Sequence, residues 1–136
     1  MIFADSAGFV AAFDARDGRH DRAARAWRRF AEEGVYLVTT QLVLAETVTH
    51  VRRRAGWQPS REVGEALLRS RVVEIVGLSD EQLAAAWREF VRNPDPKLSL
   101  CDAASFVVMR ERGLTAAFTF DHHFAGAGFE LVPGET

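Results

Sequence analysis

A single α/β domain built on a mostly parallel sheet is the fold this sequence predicts, and three observations lead there. Short apolar, β-branched runs alternate with longer stretches of helical period along the whole chain. One of those runs, VYLVT at 35–39, is β-branched and apolar throughout, as in a strand covered on both faces. Acidic residues stand directly after two of the runs, and open parallel sheets hold their ligands outside the carboxyl ends of their strands.

The bulk properties bound the class. A chain of 136 residues is one domain, 1–136, and buries roughly two thirds of the surface its unfolded form exposes. Its 48% apolar and 26% charged content is that of an ordinary globular protein, and no run approaches the ~18 apolar residues of a membrane span. The start, MIFADSAGF, lacks the basic lead and apolar stretch of a secretory signal, and the single Cys101 allows no disulfide framework. Both predict a cytoplasmic protein. A net charge of −2 and a pI near 6.1 argue against coating nucleic acid by bulk charge. Of the 17 basic residues all but Lys97 are arginine, the better phosphate fork.

Taken in order, Met1 to Ala4 is a first strand that delivers Asp5 at its end, and Ser6 to Phe13 a short helix. Asp14 to Gly18 is a turn. His20 to Glu33 is helical, with Ala23, Ala24, Trp27 and Phe30 on one stripe and a basic opposite face, closed by Gly34. VYLVT is the second strand. Thr40 caps a helix over Gln41 to Arg54 that turns Leu42, Ala45, Val48 and Thr49 inward. Gly56, Gln58 and Pro59 break the chain, Ser60 caps a helix through Ser70, and VVEIV at 72–76 is the third strand. Ser79 and Gln82 form a capping box opening a helix that carries Leu83, Ala86, Trp87 and Phe90. Two prolines make Asn93 to Pro96 a loop.

The helix that follows is buried on every face: Leu100, Ala103, Ala104 and Phe106 to Met109 leave almost nothing for water, and Asp102 lies in its first turn. Gly113 ends it in the left-handed manner. Ala116 to Phe120 is the fourth strand, with Asp121 directly after it, and Phe129 to Val132 is an edge strand.

Four acids therefore stand where acids are awkward: Asp5, Glu46, Asp102 and Asp121. Singly, each has an ordinary reading: Asp5 as a helix cap, Glu46 as a solvated helix charge, Asp102 as a complement to a helix N-terminus, Asp121 as the start of a turn. If they converge, each pair at about 4 Å repels by ~1 kcal/mol in water and up to ~4 kcal/mol at an effective dielectric of 20. A cation would remove that repulsion, and an oxygen-only ligand set suits Mg²⁺ or Mn²⁺ better than zinc.

These residues carry a family resemblance. Through IFADSAGFVAAF, TTQLVLAETV, LSLCDAASFVVMRERG and TAAFTFDHHFAGAGFELV, collinear from Met1 to Val132, the chain resembles the PIN-domain ribonucleases, most closely the VapC-like toxins of type II toxin–antitoxin pairs. The resemblance implies a metal-dependent endoribonuclease, toxic until a cognate antitoxin protein covers its site. Asp5, Glu46, Asp102 and Asp121 are then the metal-holding and catalytic acids, with Ser6 and Thr119 supporting them. A divalent ion there would polarise the scissile phosphate and activate a water for in-line attack, leaving 5′-phosphate and 3′-hydroxyl ends. A homodimer is expected as well.

Other residues invite weaker readings. Arg22, Arg25 and Arg29 share a helix face and read either as a solvated surface or as an RNA-backbone track. Adjacent histidines point apart in regular structure, so His122 and His123 are set outside the ligand set, and Cys101 reads as packing. Trp27, Phe30, Trp87 and Phe90 read as core, with part of that surface available to an antitoxin helix or a second copy. A haloacid-dehalogenase-type phosphatase requires a second Asp two residues after the first, where Ala7 stands. A receiver domain requires an Asp ending a middle strand, and none follows VYLVT or VVEIV. The remaining alternative is a non-catalytic PIN-like module that binds RNA or protein, for which loss of acids is expected and none is lost.

Overall fold

Five short strands, β1 (Ile2–Ala4), β2 (Leu37–Thr40), β3 (Val73–Val76), β4 (Ala116–Phe118) and β5 (Glu130–Val132), form one sheet in the order β3-β2-β1-β4-β5. Every pairing is parallel, with Phe3 opposite both Val38 and Ala117, Thr39 opposite Ile75, and Phe118 opposite Val132. The expectation of a mostly parallel sheet is met in full. The computed structural model describes residues 1–134; the last two positions of the expected 1–136 domain, Glu135 and Thr136, lie outside the described residues.

Seven helices connect and flank the strands among the described residues: α1 (Ser6–Phe13), α2 (His20–Glu33), α3 (Gln41–Ala55), α4 (Trp57–Arg69), α5 (Asp80–Arg92), α6 (Leu100–Glu111) and α7 (His122–Gly126). α1 packs on α2 and α3, α3 on α4, and α5 on α6. Thr40 caps α3 by accepting from the Val43 amide at 3.2 Å, and the Ser79–Gln82 capping box opens α5. Gly34 and Gly113 take φ of 65° and 66° at the ends of α2 and α6, the left-handed conformation expected of them.

The core is aromatic. Phe3, Phe9, Phe118 and Phe124 are wholly buried, and Phe30 meets Phe118 edge-on at 5.3 Å as Phe106 meets Phe124 at 5.0 Å. Every residue of α6 from Asp102 to Met109 is buried, as its sequence required.

Three local expectations are corrected. In α3 the inward face is Val43, Thr47 and Val51; Leu42 and Val48 are half-buried, while Ala45 and Thr49 face water. Thr47 occupies an apolar position because its hydroxyl donates back to the Val43 carbonyl at 2.7 Å, a bond that hides its polarity. α4 begins at Trp57, with Pro59 inside its first turn, where the missing N–H leaves no bond unmade. Ser60 is therefore no cap: it is buried and donates to the Val48 carbonyl of α3. Trp87 of α5 is 54% exposed, and Leu83 beside it 44%, so neither joins the core.

The strand order explains where a site must form. The chain builds β1, β2 and β3 outward in one direction, then returns to the other side of β1 for β4 and β5. The switch falls between β1 and β4. The helices leaving those two strands diverge there, opening a crevice at their carboxyl ends.

Candidate metal centre at the sheet's carboxyl edge

β1 ends by delivering Asp5 into that crevice. Its amide donates to the Phe118 carbonyl of β4 at 3.1 Å, and its side chain is only 2% exposed. The close approach of α1 to β4 depends on Gly8, where a Cβ would stand 2.3 Å from the Phe118 carbonyl oxygen. Asp5 occupies the N-cap position of α1 yet makes no capping bond, so its carboxylate is left for the crevice. Its Oδ2 accepts from the Thr119 hydroxyl at 2.9 Å, while Oδ1 is buried with no hydrogen-bond partner. Burial is the main force pushing its pKa up to about 7; the Thr119 bond opposes this, and the Asp102 and Glu46 carboxylates add to it.

Thr119, itself fully buried, also accepts from the Asp121 amide at 3.1 Å, so one hydroxyl ties the two strand-end acids together. Asp121 caps α7 through Oδ1, which accepts from the His123 amide at 2.9 Å. Asp102 comes from α6. Its Oδ2 accepts from the Ser99 amide at 3.1 Å while the Ser99 hydroxyl accepts from its own amide, a capping box that turns the carboxylate toward the crevice mouth. Burial raises its pKa first, with the Asp121 and Glu46 charges adding to that effect and the Ser99 bonds opposing it.

Glu46 reaches in from α3, on an exposed helical position, and its Oε2 accepts from the Ser6 hydroxyl at 2.5 Å. Cys101 lies beside three of these groups. Burial pushes its thiol far above the ordinary range, and the Glu46, Asp5 and Asp102 carboxylates push it further. That thiol does not ionise near neutral pH and is no nucleophile. The Asp102 and Glu46 charges bear on Asp5, and those of Asp121 and Glu46 on Asp102, but among the described residues the ligand atoms that gather within 4.8 Å belong to Asp102, Asp121 and His123, and Asp5 and Glu46 stand outside that group. Each of the ordinary readings also holds for Asp102 and Asp121, which serve their helices and the crevice together.

Sequence reasoning passed over one member. An oxygen from each of Asp102 and Asp121 and a ring nitrogen of His123 lie within 4.8 Å of one another. The His123 ring spans two carboxylates, with Nδ1 2.8 Å from Asp121 Oδ1 and Nε2 2.9 Å from Asp95 Oδ2 in the α5–α6 loop. The Asp95 bond leads in raising its pKa, followed after desolvation by Asp121. Asp121's capping of α7 folds His123 back over its own cap, and only the folded loop supplies Asp95.

The donors fit a hard divalent cation. Apart from the His123 ring nitrogen they are carboxylate oxygens, one of them buried and unpartnered, and the repulsion among them has no compensating lysine or arginine within ion-pairing distance among the described residues.

Of the basic residues singled out from sequence, Arg25 and Arg29 are exposed on α2, and Arg22 donates to the Gly134 carbonyl at 2.9 Å with its guanidinium 5.3 Å from the Phe120 ring centre.

A parallel sheet with acids collected at its topological switch defines a class, and the sequence falls within it: the chain belongs to the PIN domain family, whose pattern matches residues 2–130. Within the family its relatives are VapC-like toxins. It is 37% identical over 136 residues, covering 99% of this chain and all of the relative, to the 23S rRNA-specific endonuclease VapC20 of Mycobacterium tuberculosis. The crystal structure of M. tuberculosis VapC20, described as a sarcin–ricin loop cleaving toxin, superposes with a TM-score of 0.86 at 34% identity, covering 95% of this chain and 96% of that one. FitAcB of Neisseria gonorrhoeae shares the fold at a TM-score of 0.67 and 17% identity, with 96% of each chain covered.

Proposed function

We propose that this chain is the ribonuclease toxin of a toxin–antitoxin pair, and that it cuts RNA only with Mg²⁺ or Mn²⁺ held by Asp5, Glu46, Asp102 and Asp121. The observation that carries the reading is the buried, unpartnered Oδ1 of Asp5, on whose carboxylate the Asp102 and Glu46 charges act. Such an ion supplies positive charge to the scissile phosphate and lowers the pKa of a water bound to it. The protein's own part is orientation. Thr119 fixes one oxygen of Asp5 and leaves the other to the crevice; Ser6 holds Glu46; the Ser99 capping box and His123 fix Asp102 and Asp121.

Full-length identity to VapC20 supports large-subunit ribosomal RNA as the substrate class and an antitoxin protein as the partner that covers the site. Among the described residues no helix is long and apolar enough to cross a membrane, in keeping with action in the cytoplasm where that RNA lies. Leu83, Trp87 and Val91 stand exposed at successive turns of α5, and this apolar stripe supports a homodimer. Arg22, Arg25 and Arg29 fit a phosphate track leading away along α2.

Purified protein incubated with 23S rRNA tests the enzyme. Cutting is expected in Mn²⁺ or Mg²⁺ and not in EDTA, with 5′-phosphate and 3′-hydroxyl ends, and Asp102→Asn should lower the rate by at least about a hundredfold. Cutting at the wild-type rate by Asp102→Asn would overturn the assignment.

A further inference from the structure

Two hollows adjoin the carboxylates. One, of about 1010 Å³, is lined by Asp121 and His123 together with Lys97, Phe106 and Phe120; the other, of about 310 Å³, is lined by Ser6 and Glu46 together with His50 and Arg54. Asp121 lines the first and Glu46 the second, and only two residues line both: Ala7 and Arg19. A strand passing from the Asp121 hollow to the Glu46 hollow must therefore pass Arg19.

The chemistry of Arg19 fits that place. Its side chain is exposed, with its guanidinium 5.3 Å from the centre of the Phe120 ring, one residue before Asp121. Four other arginines are paired: Arg16 with Asp14, Arg61 with Glu65, Arg110 with Glu89 and Arg112 with Glu74. Among the described residues Arg19 has no carboxylate partner at ion-pairing distance, and only its backbone is engaged, donating to Asp17. Stacking restrains the side chain before any ligand arrives, so its planar fork loses less freedom on binding a phosphate.

We propose that Arg19, held on Phe120 where the two hollows meet, is a positioning residue that grips a backbone phosphate of the RNA strand next to the one being cut. The inference rests on the ribonuclease reading and extends it to how the strand is aligned. Lys97 and Arg54 line one hollow each and give the strand positive ground on either side.

The test compares wild type with Arg19→Ala, Arg19→Lys and, as a control of equal charge change on the helix that Arg19 precedes, the exposed Arg28→Ala. The probe is a labelled RNA hairpin carrying the sarcin–ricin loop sequence, followed by cutting in Mn²⁺ and by binding in EDTA across a salt series. Arg19→Ala should raise KM by about tenfold, the worth of one charge-assisted contact, and leave kcat within about twofold. In EDTA its log–log salt slope should fall by about one. Arg19→Lys should recover part of the affinity, since it keeps the charge and loses the fork. Arg28→Ala should match wild type. Wild-type KM and salt slope in Arg19→Ala, with wild-type protein cutting the hairpin, would overturn the role of Arg19 alone. Failure of wild-type protein to cut the hairpin in Mn²⁺ would overturn the ribosomal substrate reading, and the role of Arg19 with it.

Discussion

At the scale of the residue, the feature that matters most is one carboxylate that would rather be neutral. Asp5 has its pKa raised from 3.8 to about 7. The native state therefore holds a proton that the unfolded chain gives up near pH 4. Stability is full below that point, falls as pH rises, and above pH 7 is lower by on the order of 4 kcal/mol. The upward shifts of Asp102 and His123 act in the same direction, each favouring the protonated native state. Metal-free protein should accordingly melt at lower temperature at pH 8 than at pH 5, and Asp5→Asn should flatten much of that slope while raising Tm at pH 8. A thermal melt series in EDTA checks this. Asp5, Asp102 and Asp121 were legible in the sequence because each carboxylate stands against an apolar strand or helix that must be buried. Glu46 was legible as a member, but not in its placement: its apolar neighbours suggested a buried side, whereas the position is exposed and the Ser6 hydroxyl draws the carboxylate inward. His123 was not legible, because its second partner, Asp95, lies 28 residues away and meets it only after folding.

At the scale of the element, the site depends on how closely α1 lies on β4. Gly8 makes that approach, and Gly8→Ala would set a methyl 2.3 Å from the Phe118 carbonyl oxygen and 2.8 Å from its ring. Neither the strand backbone nor a wholly buried ring gives way cheaply, so a loss of about 3 kcal/mol is expected, read as a Tm lower by roughly 10 °C. Asp5 begins the same helix, and RNA cutting should fall with it. The elements most visible in the sequence were those marked by strong local chemistry: the Ser79–Gln82 box, the Thr40 cap, the glycines after α2 and α6, the unbroken apolar run of α6. Two of those misread share a cause. Thr47 hid its hydroxyl in its own helix, and Pro59 sat where a helix needs no N–H, so both contradicted their usual meaning for reasons visible only in hydrogen bonds. The short α7 had no apolar period to announce it and follows from Asp121 capping its first turn.

At the scale of the whole molecule, a parallel sheet whose strand order reverses beside β1 sets the ends of β1 and β4, and with them Asp5 and Asp121, side by side. The alternation of strands and helices announced the sheet, and the acids at strand ends announced its functional edge. What alternation does not encode is the second use of surface: the exposed stripe of Leu83, Trp87 and Val91, and the position of Arg19 between two hollows, follow from how α5 and α2 dock. The central claim is that folding builds one cation site from these four carboxylates. Calorimetric titration of Mn²⁺ at pH 7.5 into metal-free wild type and into Asp5→Asn, Glu46→Gln, Asp102→Asn and Asp121→Asn tests it most directly. Wild type should bind the ion, and each substitution should weaken binding by at least about tenfold; a wild type that takes up no Mn²⁺, or four variants that bind it as wild type does, would contradict the account.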